Sequence, residues 1–133
     1  MGDVVHTTGR RLLIGLLGGA GVLHFVAPKP FDSIVPGQLP GSARAYTLVS
    51  GVAEIGCAGA LACRDERVRR AGGWAAAALM LAVWPANFEM ARQYHDPARG
   101  KPWWAKAIAV LRLPLQVPLI WAGLEIGRGP RRG

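Results

Sequence analysis

Six polar residues stand in stretches otherwise apolar enough to meet lipid: His24, Ser50, Glu54, Asn87, Arg112 and Gln116. Arg112 is the most demanding, a full positive charge in Arg112-Leu113-Pro114-Leu115-Gln116, within the apolar run from Ala107 to Ile126. An ionised side chain at the centre of a bilayer costs about 2.5–3.5 kcal/mol on insertion scales, so it needs a match. Glu54 is the natural match, and arginine suits the pairing because it stays charged and presents a fork of donors. Ser50 lies four residues before Glu54, and Gln116 four after Arg112, so each shares a helical face with its charged neighbour. The expectation is an inward-facing polar cluster in which Glu54 and Arg112 pair and the other four fill the remaining hydrogen-bonding positions. Such a cluster serves either to hold helices in register or to receive the polar end of a ligand.

The elements that position these residues follow from where the charges fall. The chain has 133 residues, 51% of them hydrophobic, and its charges crowd into short stretches that leave four long blocks almost free of them. A soluble helix would carry a polar stripe at helical spacing, and these blocks carry none. The reading is one all-α integral membrane domain over residues 1–133, a four-helix transmembrane bundle with spans near 10–27, 46–63, 71–91 and 107–126. Residues 28–45 hold Pro28, Pro30, Pro36 and Pro40, which exclude a continuous helix. Phe31, Ile34, Val35 and Leu39 keep that segment apolar, so it reads as a lid folded on the membrane surface with one helical turn at Phe31 to Val35. Taking 1.5 Å of rise per residue, Glu54 lies roughly 12 Å below the lid end of its helix. His24 and Asn87 lie about a turn from the lid ends of theirs, and Arg112 and Gln116 fall in the same half. All four spans therefore send a polar group to a similar level.

The remaining signals bound the alternatives. Arg10-Arg11 before an apolar run also fits an export signal, but no small-x-small site follows and Pro28-Lys29-Pro30 comes at once. The net charge of +8 does not point to nucleic acid, because the basic residues flank apolar spans instead of forming one face. Nine Lys and Arg residues fall on the side of the termini and the second loop, six on the other, which places both termini in the cytoplasm and the protein, multi-pass, in the inner (plasma) membrane. Cys57 and Cys63 are six apart with no Cys-x-x-Cys, and read as small packing residues. His6 and His95 lie outside the spans, so neither haem nor metal ligation is visible. Glu89 and Glu125 read as snorkelling helix-end residues, Trp84 and Trp121 as packing or interfacial groups, and Gly127 to Gly133 as a disordered basic tail.

The motifs resemble those of the DoxX-like family of small four-helix bacterial integral membrane proteins. The resemblance rests on His24-Phe25 closing the first span, the Phe31-x-x-Ile34-x-Pro36-x-x-Leu39-Pro40 pattern, and Ser50-Gly51-Val52-Ala53-Glu54. Pro85-Ala86-Asn87 and Arg112-Leu113-Pro114-Leu115-Gln116 extend it, in the same order, over most of the chain. It implies the four-span fold and a link to quinone-linked redox chemistry or thiol homeostasis, with no residue assigned to catalysis.

Function is expected to be that of an accessory or small-molecule-binding subunit, not an enzyme by itself. The bilayer is its surroundings, with a partner protein or a second copy of the chain as further partners. A quinone or another lipophilic ligand would occupy the polar cluster beneath the lid, and no resident cofactor is evident. The alternatives are a membrane subunit of a quinone-linked oxidoreductase or thiol-redox complex, and a transporter or proton pathway formed by an oligomer.

Overall fold

Proline and small polar residues set every boundary between helices. In the computed structural model, which describes residues 2–130, helix α1 runs Gly2–Val26. It ends where Pro28 forces the preceding Ala27 out of helical geometry (φ −136°, ψ 68°). Pro28 then opens a five-residue helix α2, Pro28–Asp32, a position where its missing N–H is no loss. The single turn expected at Phe31 to Val35 is thus centred earlier, and only looser turns, Ile34 N–H to Phe31 O and Val35 N–H to Asp32 O, follow it. Helix α3, Ala43–Ala62, starts at Ser42, whose hydroxyl accepts from the Ala45 N–H at 3.1 Å. Helix α4, Glu66–His95, starts at Asp65, whose carboxylate accepts from the N–H groups of Arg67 and Val68. A 3₁₀ turn at Pro97–Arg99 and a left-handed Gly100 lead into α5, Trp103–Arg128.

The protein is all-helical among the described residues. Helices α1, α3 and α5 are each long and apolar enough to cross a membrane. Helix α4 falls outside that set: its ends are charged, and Gly72, Gly73, Pro85 and Asn87 dilute its middle. The basic tail expected from Gly127 begins later than that, because α5 continues through Arg128, which pairs with Glu125 at 2.9 Å. Residues 131–133 of that tail lie outside the described residues.

Each long helix packs on two others: α1 on α3 and α5, α4 on α3 and α5. Helices α3 and α5 therefore stand diagonally opposite. The shared core is small, made of Leu13, Leu17, Cys57, Ala58, Leu61, Ala76, Met80 and Ile126. Leu12, Val52, Leu81, Leu111 and Trp121 are among the many large apolar side chains that face outward, as a lipid-bathed surface requires. Lipid provides no hydrophobic drive for helices to associate, so close backbone approach must supply the contact. Gly73 does this between α4 and α5: a Cβ there would stand 2.6 Å from the Gly127 nitrogen and 2.7 Å from the Gly123 carbonyl oxygen.

Two of the helix-interior prolines, Pro85 and Pro114, lie beside hydrogen bonds that join α4 to α5. Pro85 leaves the Leu81 carbonyl without its helical donor, and next to it the Gln116 side chain donates to the Met80 carbonyl at 2.9 Å. The Trp84 indole donates to the Leu113 carbonyl at 3.2 Å, beside Pro114. These two bonds cross between α4 and α5 in opposite directions.

Gly73→Leu is expected to destabilise the protein by about 1–3 kcal/mol, the usual cost of overpacking. Gly19→Ala, where an added Cβ meets nothing within 4 Å, should instead be neutral or stabilising by up to about 1 kcal/mol. Thermal unfolding of the two variants in one detergent tests the contrast; equal melting points would show that the α4–α5 contact is not close.

Candidate functional site beneath the lid

Helices α1 and α3 meet through glycine. A Cβ on Gly51 would stand 2.8 Å from the His24 Cβ, so only glycine lets α1 bring His24 this close to α3. Three residues along, Glu54 turns into the same space. Its Oε2 lies 3.1 Å from His24 Nδ1. His24 is 7% exposed and Glu54 5%. The same Nδ1 lies 2.6 Å from the Ala20 carbonyl, which only accepts, so the ring proton sits on Nδ1 and points chiefly at that carbonyl. Glu54 Oε2 is left buried and accepts no hydrogen bond among the described residues. Phe31 of the lid stacks on the His24 ring, centroids 3.8 Å apart and planes at 24°.

The lid is fastened at three points, two on α3 and one on α4. Arg44, in the first turn of α3, holds Asp32 by Nε at 2.9 Å and Nη2 at 2.8 Å. Tyr46 donates its hydroxyl to the Pro40 carbonyl at 2.7 Å. From the end of α4, the Gln93 amide donates to the Ser33 carbonyl at 2.6 Å and to Glu89 at 2.8 Å. Glu89 is held in turn by Arg92, so it belongs to the lid's support and does not reach alone for water. Besides Glu54 Oε2, the buried oxygens without a hydrogen bond among the described residues are Asp32 Oδ1, Thr47 Oγ1 and Gln93 Oε1. All belong to the lid or to the helix ends beneath it, and the Thr47 hydroxyl lies close enough to Asp32 to act on its carboxyl.

Of the six residues expected to cluster, the structure brings two into contact. His24 meets Glu54; the expected Glu54–Arg112 pair does not form. Arg112 is exposed, and its guanidinium donates to the Met90 sulfur at 3.4 Å. The reason is the ring order of the helices: Glu54 and Arg112 sit on the diagonal pair α3 and α5, whereas α1 is the neighbour of α3. Gln116 faces α4 at Met80. Asn87 is buried and Ser50 half-buried, and no hydrogen bond among the described residues joins either to Glu54. Among the described residues no trio of His, Cys, Asp and Glu side chains gathers as metal ligands would.

Phe31, Asp32, Arg44, Tyr46 and Gln93 did not stand out in the sequence as site residues. Asp32 and Arg44 are opposite charges within one loop, a signal that was legible. Gln93 sits in the polar stretch from Arg92 to Lys101 and reads there as solvated.

The Asp32 clamp has a definite pH dependence. The Arg44 guanidinium, by its hydrogen bond, holds the Asp32 carboxyl below its ordinary value of 3.8. A lowered value in the folded protein means that the clamp contributes above pH 3.8 and fades as pH falls below it. Asp32→Asn at neutral pH should reproduce the acid state, with severalfold faster amide exchange at residues 31–41, corrected for intrinsic rates. Wild-type protection in that variant would show that the ion pair does not hold the lid.

No curated protein and no solved structure matches the chain. A family model matches residues 13–126, from the fully buried Leu13 of α1 to the core Ile126 of α5. The chain thus belongs to the family described as a domain of unknown function, DUF8561.

Proposed function

We propose that the protein is a multi-pass membrane protein of four spans that binds the polar head of a lipophilic small molecule at His24 and Glu54, beneath the lid. The observation that carries this reading is the Glu54 carboxylate oxygen, buried within an apolar helix, 3.1 Å from an imidazole and accepting no hydrogen bond among the described residues. A buried acceptor left without a donor costs about 1–3 kcal/mol, and more when charged. That cost is recovered when a ligand brings the donor. Phe31, stacked on His24, is the door, and the apolar flanks of α1 and α3 lead to it from the lipid.

The four-span reading is supported by α4, which lies between α3 and α5 and packs on both. With four spans both termini share a side, and the Lys and Arg excess assigns that side to the cytoplasm of the inner (plasma) membrane. In this reading the protein is an accessory subunit. The resemblance to DoxX-like proteins makes a quinone one ligand to look for, and any electron transfer would then need a partner chain.

Mass spectrometry of lipophiles that copurify with gently extracted protein tests the proposal. A defined small molecule is expected with the wild type, reduced at least about tenfold in Glu54→Leu, the loss of roughly one charge-assisted hydrogen bond. Equal recovery from both proteins would remove Glu54 from any site.

A proton pathway is the second reading, favoured by the contact of two titratable groups, His24 and Glu54, at membrane depth. It predicts proton flux into liposomes that Glu54→Gln abolishes, whereas the binding reading predicts no flux in either protein.

A further inference from the structure

The opposite end of the protein carries a second feature, independent of the lid site. Between α3 and α4 an outward-facing groove of about 490 Å³ is walled by Ala53, Gly56, Cys57 and Ala60 on one side, and by Val68, Gly72 and Leu79 among others on the second. Its volume falls within the range of ligand-sized clefts, about 300–1,000 Å³. The α3 wall extends for about 10 Å and the α4 wall for about 16 Å along the helix axes, close to half of a hydrocarbon core about 30 Å thick. Both walls begin at the tight turn between the helices, and that turn is where arginines gather: Arg64, Arg67, Arg69 and Arg70.

Two of these four are already engaged. Arg69 donates to the Arg64 carbonyl and Arg70 to the Gly127 carbonyl. Arg64 and Arg67 are exposed, and neither forms an ion pair among the described residues. The nearby Asp65 is occupied in capping α4. Arg64 lies in the turn between the two walls, and Arg67, in the first turn of α4, stands four residues before Ala71 of the α4 wall and so shares its face. An apolar trough one leaflet deep, with free guanidinium groups at its headgroup end, is complementary to one class of molecule.

We propose that this groove holds one acyl chain of an anionic phospholipid, with the phosphate bound by Arg64 and Arg67. Guanidinium groups suit phosphate oxygens through their planar fork of donors, and basic pockets between helices at the cytoplasmic side select anionic headgroups. Gly56 shapes the trough. A Cβ added there meets nothing within 4 Å, so the glycine is not required by packing inside the protein and leaves the groove open.

The test is native mass spectrometry of the purified full chain in detergent micelles doped with phosphatidylglycerol or phosphatidylcholine. One phosphatidylglycerol should be retained per protein, with phosphatidylcholine about fivefold weaker, the effect of roughly one basic residue at a membrane surface. Gly56→Leu should fill the groove and lose the lipid while keeping the wild-type melting point, whereas Gly19→Leu, on α1, should keep it. Arg64→Gln should abolish most of the preference for phosphatidylglycerol, and it carries the test should Gly56→Leu unfold. Equal retention of the two lipids, an unchanged preference in Arg64→Gln, or full retention in a folded Gly56→Leu would each overturn the proposal. So would displacement of the lipid by millimolar glycerol phosphate, which would place the affinity in the phosphate alone.

Discussion

A carboxyl group taken out of water at membrane depth governs the arrangement of the lid end. Burial of Glu54 there carries a desolvation cost, and the polar group set against it is His24 of the neighbouring helix, 3.1 Å away, whose Nδ1 is held chiefly by the Ala20 carbonyl. Their contact depends on Gly51: any larger residue would drive α1 away from α3 and leave the carboxylate among apolar side chains. Phe31 then covers the imidazole, and Asp32, Ser33 and Pro40 tie the lid to α3 and α4. The buried pair, the close helix contact and the fastened lid are one structure, and loss of the first removes the reason for the others.

The two ends of the protein solve different problems. At the lid end, polar groups are withdrawn from solvent, and among the described residues Glu54 Oε2 and Gln93 Oε1 accept no hydrogen bond. At the other end, arginines stay exposed around a short turn and glycine and alanine leave a trough between α3 and α4. The apolar surface between the ends is continuous, and the core is thin because helices in lipid gain little from burying apolar side chains. Small residues and a few interhelical hydrogen bonds do that work instead, as at Gly73 with Gly123, and at Gln116 with the Met80 carbonyl.

Helix α4 shows how context changes the meaning of a segment. By composition it is the least apolar of the four long helices, with Asn87, Pro85 and two glycines in its middle. Its position between α3 and α5 turns those features into interior ones: Gly72 and Gly73 are contact points, Asn87 is buried, and Gln116 donates beside the carbonyl that Pro85 leaves without a donor.

The helical blocks and the proline-rich break after the first of them were determined by the sequence alone, because each depends on local chemistry: charge placement and proline geometry. Counting residues gave Glu54, His24 and Arg112 a similar expected level. Which of these residues meet was decided by the tertiary structure. Counting along separate helices yields depth but not the angle around the bundle, and the diagonal placement of α3 and α5 separates Arg112 from Glu54. It was the packing of α1 on α3 at Gly51 that chose His24 as the partner, a contact between residues thirty apart in the chain.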